Sequence, residues 1–309
     1  MPTLTLFTSP KPFTNPHIAV IQRNAIRSWL NLGAEVEVLL LGEEEGLAEA
    51  AAGLGARHIS QVERNANGTP LVSSMFEIAR QNSSSPLLGC VNADILLFPD
   101  IVDHARRVLE LAPRFLMVGQ RWDLEVTELL EFGPNWPQVL RERAFSQGRL
   151  HRASGSDYFI FPRECFADMP KFAIGRAGWD NWMIYSGRAR NWPVVNASPT
   201  VTIIHQNHDY SHLPGGQPHY KLPETDENVR LAGGKRTIFE LPDASHVLRD
   251  GELHRPAFSW KRFWREVEIF PLVKLHSYPL AQAFYFIFHP LKAYREFRQD
   301  ARKAALKEA

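Results

Sequence analysis

Residues 87–99 read Leu-Leu-Gly-Cys-Val-Asn-Ala-Asp-Ile-Leu-Leu-Phe-Pro. An apolar run, Leu87 to Val91, meets a polar step, Asn92-Ala93-Asp94, and apolar character resumes at Ile95 to Phe98. An unpaired buried carboxylate is costly, so Asp94 does not belong inside one continuous strand. The pattern predicts a buried strand ending at Asn92. Asp94 then stands at the strand's carboxyl end, where open α/β sheets gather their ligands.

The flanking sequence supports that sheet. Strands are expected at Leu4–Thr8, Glu35–Leu41, His58–Val62 and Phe115–Val118, and helices at His17–Leu32, Leu47–Leu54, Pro70–Gln81 and Ile101–Leu111. Strands alternating with helices from the outset predict an α/β fold, a mostly parallel sheet with helices on both faces. Pro70 suits a first helical turn, and Gly33 and Gly55 suit helix ends. Further strands are expected at Tyr158–Phe161, Val194–Asn196, Val201–His205 and Ile238–Leu241, with a helix starting at Trp179 and a helical turn at Glu227–Ala232. Residues 123–149 read as helical or irregular, and 213–228 as a long loop.

The chain has 309 residues and a net charge of +1, so no global charge argues for nucleic acid. Its two cysteines, Cys90 and Cys165, supply neither a disulfide framework nor zinc spacing. The first residues, MPTLTLFTSPKPF, lack the pattern of a signal peptide, and no apolar stretch reads as a membrane span. The expected organisation is an α/β domain over 1–250 and an aromatic, basic helical extension over 251–309. In the extension, Phe263, Trp264, Val267 and Phe270 fall near one helical face, with Lys261, Arg262 and Arg265 beside them. Such a segment suits either a membrane interface or packing on protein.

Three stretches carry chemistry. Asn92-Ala93-Asp94 offers hard oxygen ligands for magnesium or manganese, and would equally serve as a plain strand end. Asp180, in the stretch Gly175-Arg176-Ala177-Gly178-Trp179-Asp180-Asn181-Trp182, is flanked by tryptophans after a glycine-bracketed loop. A carboxylate there with a raised pKa would take a proton from a hydroxyl; a cap for the following helix is the simpler role. His205, after the run Val201–Ile204, or His208 would complete a metal site with Asp94.

In this order the stretches resemble the GT-A glycosyltransferases, the nucleotide-diphospho-sugar transferase superfamily. Asn92-Ala93-Asp94 resembles the Asp-X-Asp motif, with Asn in its first place. Ala153-Ser154-Gly155-Ser156-Asp157 resembles the glycine-rich turn beside donor and acceptor. Trp179-Asp180-Asn181 resembles the acidic motif whose carboxylate is the base in inverting members, with Asp-Asn where Glu-Asp is usual. His205, or else His208, resembles the late metal-binding histidine. The match spans about residues 1–212.

The resemblance implies a GT-A fold and transfer of a sugar from a nucleotide-diphosphate sugar to a hydroxyl on a glycan, glycolipid or envelope polysaccharide, with a divalent cation (Mn2+ or Mg2+) on the diphosphate. The base is Asp180, and the metal ligands come from Asp94, His205 and His208. Donor contacts come from Thr8, Arg64, Asn67, Asn92, Ala93, Arg121, Gly155 and Asp157, although both arginines also suit plain ion pairs. A cytoplasmic enzyme touching the inner face of a membrane through residues 258–298 fits this picture. A sugar nucleotidyltransferase would carry glycines after the first strand, which Ser9-Pro10-Lys11-Pro12 lacks. A non-catalytic binding protein of the same fold is the other alternative, and Asn92 and Asn181 are what favour it.

Overall fold

In a computed structural model, the structure describes residues 2–154, 156–208 and 222–308. The first strand, β1 (Leu4–Thr8), is buried throughout. Helix α1 (Pro16–Leu30) starts where Asn15 Oδ1 accepts the His17 and Ile18 N–H groups, and it buries Ile18, Ile21, Ala25 and Trp29. Then come β2 (Val36–Leu41), α2 (Leu47–Leu54), β3 (Arg57–Ile59), α3 (Val72–Gln81), β4 (Leu87–Val91), β5 (Ile95–Leu96) and α4 (Asp100–Leu111). Gly55 ends α2 at φ 72°, a left-handed conformation that glycine tolerates without penalty. The chain continues through β6 (Leu116–Val118), β7 (Trp122–Leu124), α5 (Trp136–Gln147), β8 (Arg149–Leu150), β9 (Tyr158–Pro162), α6 (Trp179–Ala189), β10 (Val194–Asn196), β11 (Ile204–Gln206), α7 (Pro223–Leu231), β12 (His246–Arg249) and β13 (Glu252–His254).

Two sheets result. The larger has the order β13-β12-β10-β6-β9-β4-β1-β2-β3. It is mostly parallel; β9 runs antiparallel to both β4 and β6, and β13 antiparallel to β12. The smaller sheet has the order β5-β11-β7-β8. The opening stretch divides between them: β4 lies in the large sheet, β5 in the small one, and Asn92-Ala93-Asp94 is the turn that joins them. That turn is fastened from the far side, because the buried Trp29 indole on α1 donates to the Ile95 carbonyl at 2.9 Å.

Several expected boundaries shift for identifiable reasons. Helix α3 begins at Val72, not Pro70, because Pro70 and Leu71 are extended and bridge Arg64 and Ala173. Residues 123–149 hold a strand and then a helix: Trp122–Leu124 pairs with both β11 and β8 before α5 begins. The late strand starts at Ile204, not Val201. Ile238–Leu241 is not a strand; short 3-10 turns at Lys235–Thr237 and Leu241–Asp243 flank it.

The chain forms two units, residues 1–256 and 257–309. The division lies beyond position 250 because β13 completes a hairpin with β12. The second unit holds α8 (Trp260–Val273), α9 (Tyr278–Phe288) and α10 (Pro290–Glu308). Ser259 Oγ caps α8 by accepting the Arg262 N–H at 3.2 Å. Among the described residues no helix is long and apolar enough to cross a membrane.

Candidate active site and metal centre

The antiparallel register of β9 builds one side of the site. Val91, the last residue of β4, pairs with Tyr158, the first of β9. Asn92 therefore meets Asp157. Its backbone N–H donates to the Asp157 carbonyl at 2.9 Å and its Nδ2 to Asp157 Oδ1 at 3.0 Å. Arg121 bridges outward, with Nη1 2.6 Å from Asp157 Oδ1 and Nε 3.0 Å from Asp123 Oδ1. Asp157 Oδ1 thus accepts from both Asn92 and Arg121, while Asp157 Oδ2 is buried without a hydrogen-bond partner.

The small sheet builds the other side. Its register sets His205 opposite both Ile95 and Asp123. Gln206 locks the turn to β11, donating from its backbone N–H (3.1 Å) and Nε2 (3.2 Å) to the Asp94 carbonyl. Asp123 faces two imidazoles: His205 Nδ1 at 3.4 Å and His151 Nδ1 at 2.7 Å. His208 Nε2 lies 3.0 Å from Asp94 Oδ2. Lys11, in the loop after β1, brings Nζ to 3.6 Å from Asp94 Oδ2 and 3.1 Å from His208 Nε2.

Asp94, His205 and His208 each present one ligand atom, and the three atoms lie within 4.8 Å of one another. Metal–ligand bonds of about 2.0–2.2 Å separate two ligands of one ion by up to about 4.4 Å, so a small side-chain adjustment closes this set on a cation. Asp94 Oδ1 is buried with no hydrogen-bond partner. Buried polar atoms are ordinarily paired, so this oxygen fits a missing charge. Asp123 Oδ1, 3.4 Å from His205 Nδ1, lies where a carboxylate can steer a histidine ring that offers its other nitrogen to a cation. Burial raises the Asp94 pKa, but the hydrogen bond to His208 and the charges of Lys11, His205 and His208 outweigh it, holding the group well below the usual carboxylate range. Burial opposes ionisation of Asp123 too, and is outweighed by His205, His151 and Arg121. Both carboxylates are therefore anionic and ready for a cation.

Asp180 is the second residue of α6, entered through Gly178 at φ 113°. Gly178 is the N-cap and no side chain caps the helix, so Asp180 is not the cap; from inside the first turn its Oδ1 accepts the Gly178 N–H at 3.2 Å. Burial pushes its pKa up to about 6, and the Asp157 charge adds to the rise, which places the two carboxylates in one electrostatic neighbourhood. Asn181 is committed elsewhere, donating to the Phe239 carbonyl at 2.7 Å.

The remaining candidates are placed as follows. Thr8 is buried at the end of β1, and Ala93 is half-buried in the turn. Arg64 is held by Glu44 at 2.8 Å and Glu43 at 3.4 Å, and it shares with Asn67 a separate open groove of about 590 Å³. That groove borders the loop before Asp180, because Glu224, on its wall, bonds both Asn65 (2.6 Å) and Arg176 (2.7 Å). Gly155 lies outside the described residues, as do His212 and His219. The structure thus gathers Asn92, Asp94, Arg121, Asp157, His205 and His208, and puts Arg64 and Asn67 in a neighbouring groove.

Three participants escape a reading of the sequence: Lys11, Asp123 and His151. Lys11 lies in Ser9-Pro10-Lys11-Pro12, informative in sequence only for its lack of glycine. Asp123 sits in a three-residue strand too short to show alternation, and His151 follows a two-residue one. Only the cross-strand register joins them.

No family model and no curated protein sequence matches the chain. Solved structures with similar topology include a mannosyltransferase from Pyrobaculum calidifontis in complex with GDP-Man and Mn2+, at 13% identity and a TM-score of 0.45 over 68% of this chain. This chain spans 59% of that protein's length. Another is glucosyl-3-phosphoglycerate synthase from Mycobacterium tuberculosis in complex with Mg2+ and UDP, at 17% identity and a TM-score of 0.47, over 83% of this chain and 87% of that one. The same synthase with Mn2+, UDP and phosphoglyceric acid gives 16% identity and a TM-score of 0.46, over 76% and 80%.

Proposed function

We propose that the chain is a divalent-cation-dependent glycosyltransferase of the GT-A kind, moving a sugar from a nucleotide-diphosphate sugar to an acceptor hydroxyl. The observation that carries this reading is the Asp94–His205–His208 cluster, with the unpartnered buried Asp94 Oδ1, beside the carboxyl ends of β1 and β4. A bound Mn2+ or Mg2+ would neutralise charge on the leaving diphosphate. Every other role belongs to the chain. Asp123 directs the His205 ring. Arg121 holds Asp157 against the turn, and its remaining guanidinium N–H groups suit donor sugar or phosphate. Asp180, ionised above about pH 6, takes the proton of the acceptor hydroxyl. The acceptor oxygen forms the new bond at the anomeric carbon, and the bond to the diphosphate breaks with its electron pair leaving on that group.

Asn92 and Asn181 both have structural partners, Asp157 and the Phe239 carbonyl, so their amides need no catalytic explanation. A non-catalytic relative, the alternative reading, rests on the carboxylates that these two positions lack. The finer reading is an enzyme on the cytoplasmic side of a membrane, with a glycan, glycolipid or envelope polysaccharide acceptor. The deciding experiment is a thermal-shift panel of nucleoside diphosphates with and without Mn2+. One diphosphate should stabilise the protein only when Mn2+ is present, and Asp94→Ala should abolish the shift. A panel with no response in the unmodified chain would remove the transferase reading.

A further inference from the structure

Lys11 is placed with more care than a surface lysine needs. Pro10 and Pro12 flank it, each fixing its own φ. Buried Gln22 on α1 clamps its backbone at both polar atoms: the Lys11 N–H donates to Gln22 Oε1 at 2.6 Å, and Gln22 Nε2 donates to the Lys11 carbonyl at 2.9 Å. The side chain runs from this anchor to the metal cluster. Nζ, His208 Nε2 and Asp94 Oδ2 form a triangle with sides of 3.1, 3.0 and 3.6 Å.

One ring nitrogen cannot donate to Asp94 and accept from Lys11 at once. If Nε2 is unprotonated, it accepts from the ammonium, and that ammonium's charge offsets its closeness to the Asp94 oxygen. The lysine then does a cation's work at two of the three metal-ligating side chains. An Nε2 that binds a metal ion must be equally free of its proton. The ammonium and a divalent ion therefore compete for the same lone pair and the same carboxylate oxygen.

We infer that Lys11 is the resident counter-ion of the Asp94–His208 pair, and that a divalent cation enters the site by displacing it. This rests on the metal reading above. The four-carbon stem lets the ammonium swing while the Gln22 clamp keeps its base in place. A displaced ammonium beside a bound cation is unfavourable alone and favourable next to a diphosphate. The cation and the diphosphate should therefore bind cooperatively, with Lys11 supplying part of the coupling. The cluster would hold its metal weakly until the anionic half of the donor arrives.

The test measures Mn2+ binding by calorimetry to the full chain and to Lys11→Met, with and without inorganic pyrophosphate, and needs no activity. With Mn2+ alone, Lys11→Met should bind roughly tenfold tighter, because the like charge is gone. Pyrophosphate should raise Mn2+ affinity less in Lys11→Met than in the unmodified chain. Lys11→Arg, which keeps the charge, should stay close to the unmodified chain in both respects. Thermal melts of each variant show whether it is folded. If the unmodified chain binds Mn2+ and Lys11→Met binds it no tighter, Lys11 is not the competitor. If no folded form binds Mn2+, the metal reading fails and this inference fails with it.

Discussion

At the scale of the residue, Asp180 ties down the start of α6, and the role of base proposed for it would have a different pH dependence. Its pKa in the folded protein, about 6, lies above the ordinary carboxylate value, so folding favours its protonated form. That contribution to stability is fully present below about pH 4 and is lost as pH rises through 6. Asp180→Asn keeps the oxygen that accepts the Gly178 N–H and never ionises. It should be more stable than the unmodified protein at pH 8, by on the order of 1–2 kcal/mol, and no more stable at pH 4. Denaturant melts at the two pH values check the sign. If Asp180 is the base proposed above, sugar transfer should fall by about 10²–10⁴ in the same variant, and the unmodified protein's rate should rise with pH through about 6. A fully active Asp180→Asn protein would dismiss the residue as the base.

At the scale of the element, the four-stranded sheet positions the Asp94–His205–His208 cluster. Its strands are two or three residues long, and their pairing sets His205 beside Asp123 and next to the turn that carries Asp94. Asp123→Asn preserves the shape and removes the charge behind the His205 ring. Mn2+ affinity should drop by about 10–100-fold while the fold persists. Unchanged affinity by titration calorimetry would show that Asp123 does not act through His205. This sheet also explains how far the sequence could be read. In the large sheet β1, β2, β4 and β9 were legible because each runs for five or six residues, and β4 stood out because a polar turn interrupts apolar residues; β3, β6 and β10 showed only as short apolar runs between turn signals, and β12 and β13 were not anticipated. Asp94, His205 and His208 could be singled out because each lies near the end of an apolar run. Asp123 and His151 could not, since a strand of two or three residues has no measurable period and its meaning lies in its partner.

At the scale of the whole molecule, charge and exposed apolar surface are unevenly distributed. Residues 257–309 hold ten Lys and Arg against five Asp and Glu, in a chain of net charge +1. Among the described residues, twelve of the sixteen exposed large hydrophobic side chains also lie there, including Phe258, Trp260, Trp264, Ile287, Leu291 and Phe297. Basic residues interleaved with exposed aromatic ones suit an anionic lipid surface. The full chain should co-sediment with vesicles containing phosphatidylglycerol and not with phosphatidylcholine alone, and Trp260→Ser with Trp264→Ser should reduce the bound fraction severalfold. Equal binding to both vesicles, or a dimer that buries these side chains, would point to a different partner.

The span of the metal cluster along the chain has a consequence for how the protein matures. Asp94 and His208 are 114 positions apart, and Lys11 and His208 are 197 apart. Strand β9 must also slot between β4 and β6 before Asp157 can reach Asn92. Pairings this distant form late, after loop closure has been paid for. A nascent chain on the ribosome would carry Asp94 for more than a hundred residues of synthesis before the histidines emerge. Cation capture would then mark completed topology, and a chain stalled before His208 would hold no cation at this site.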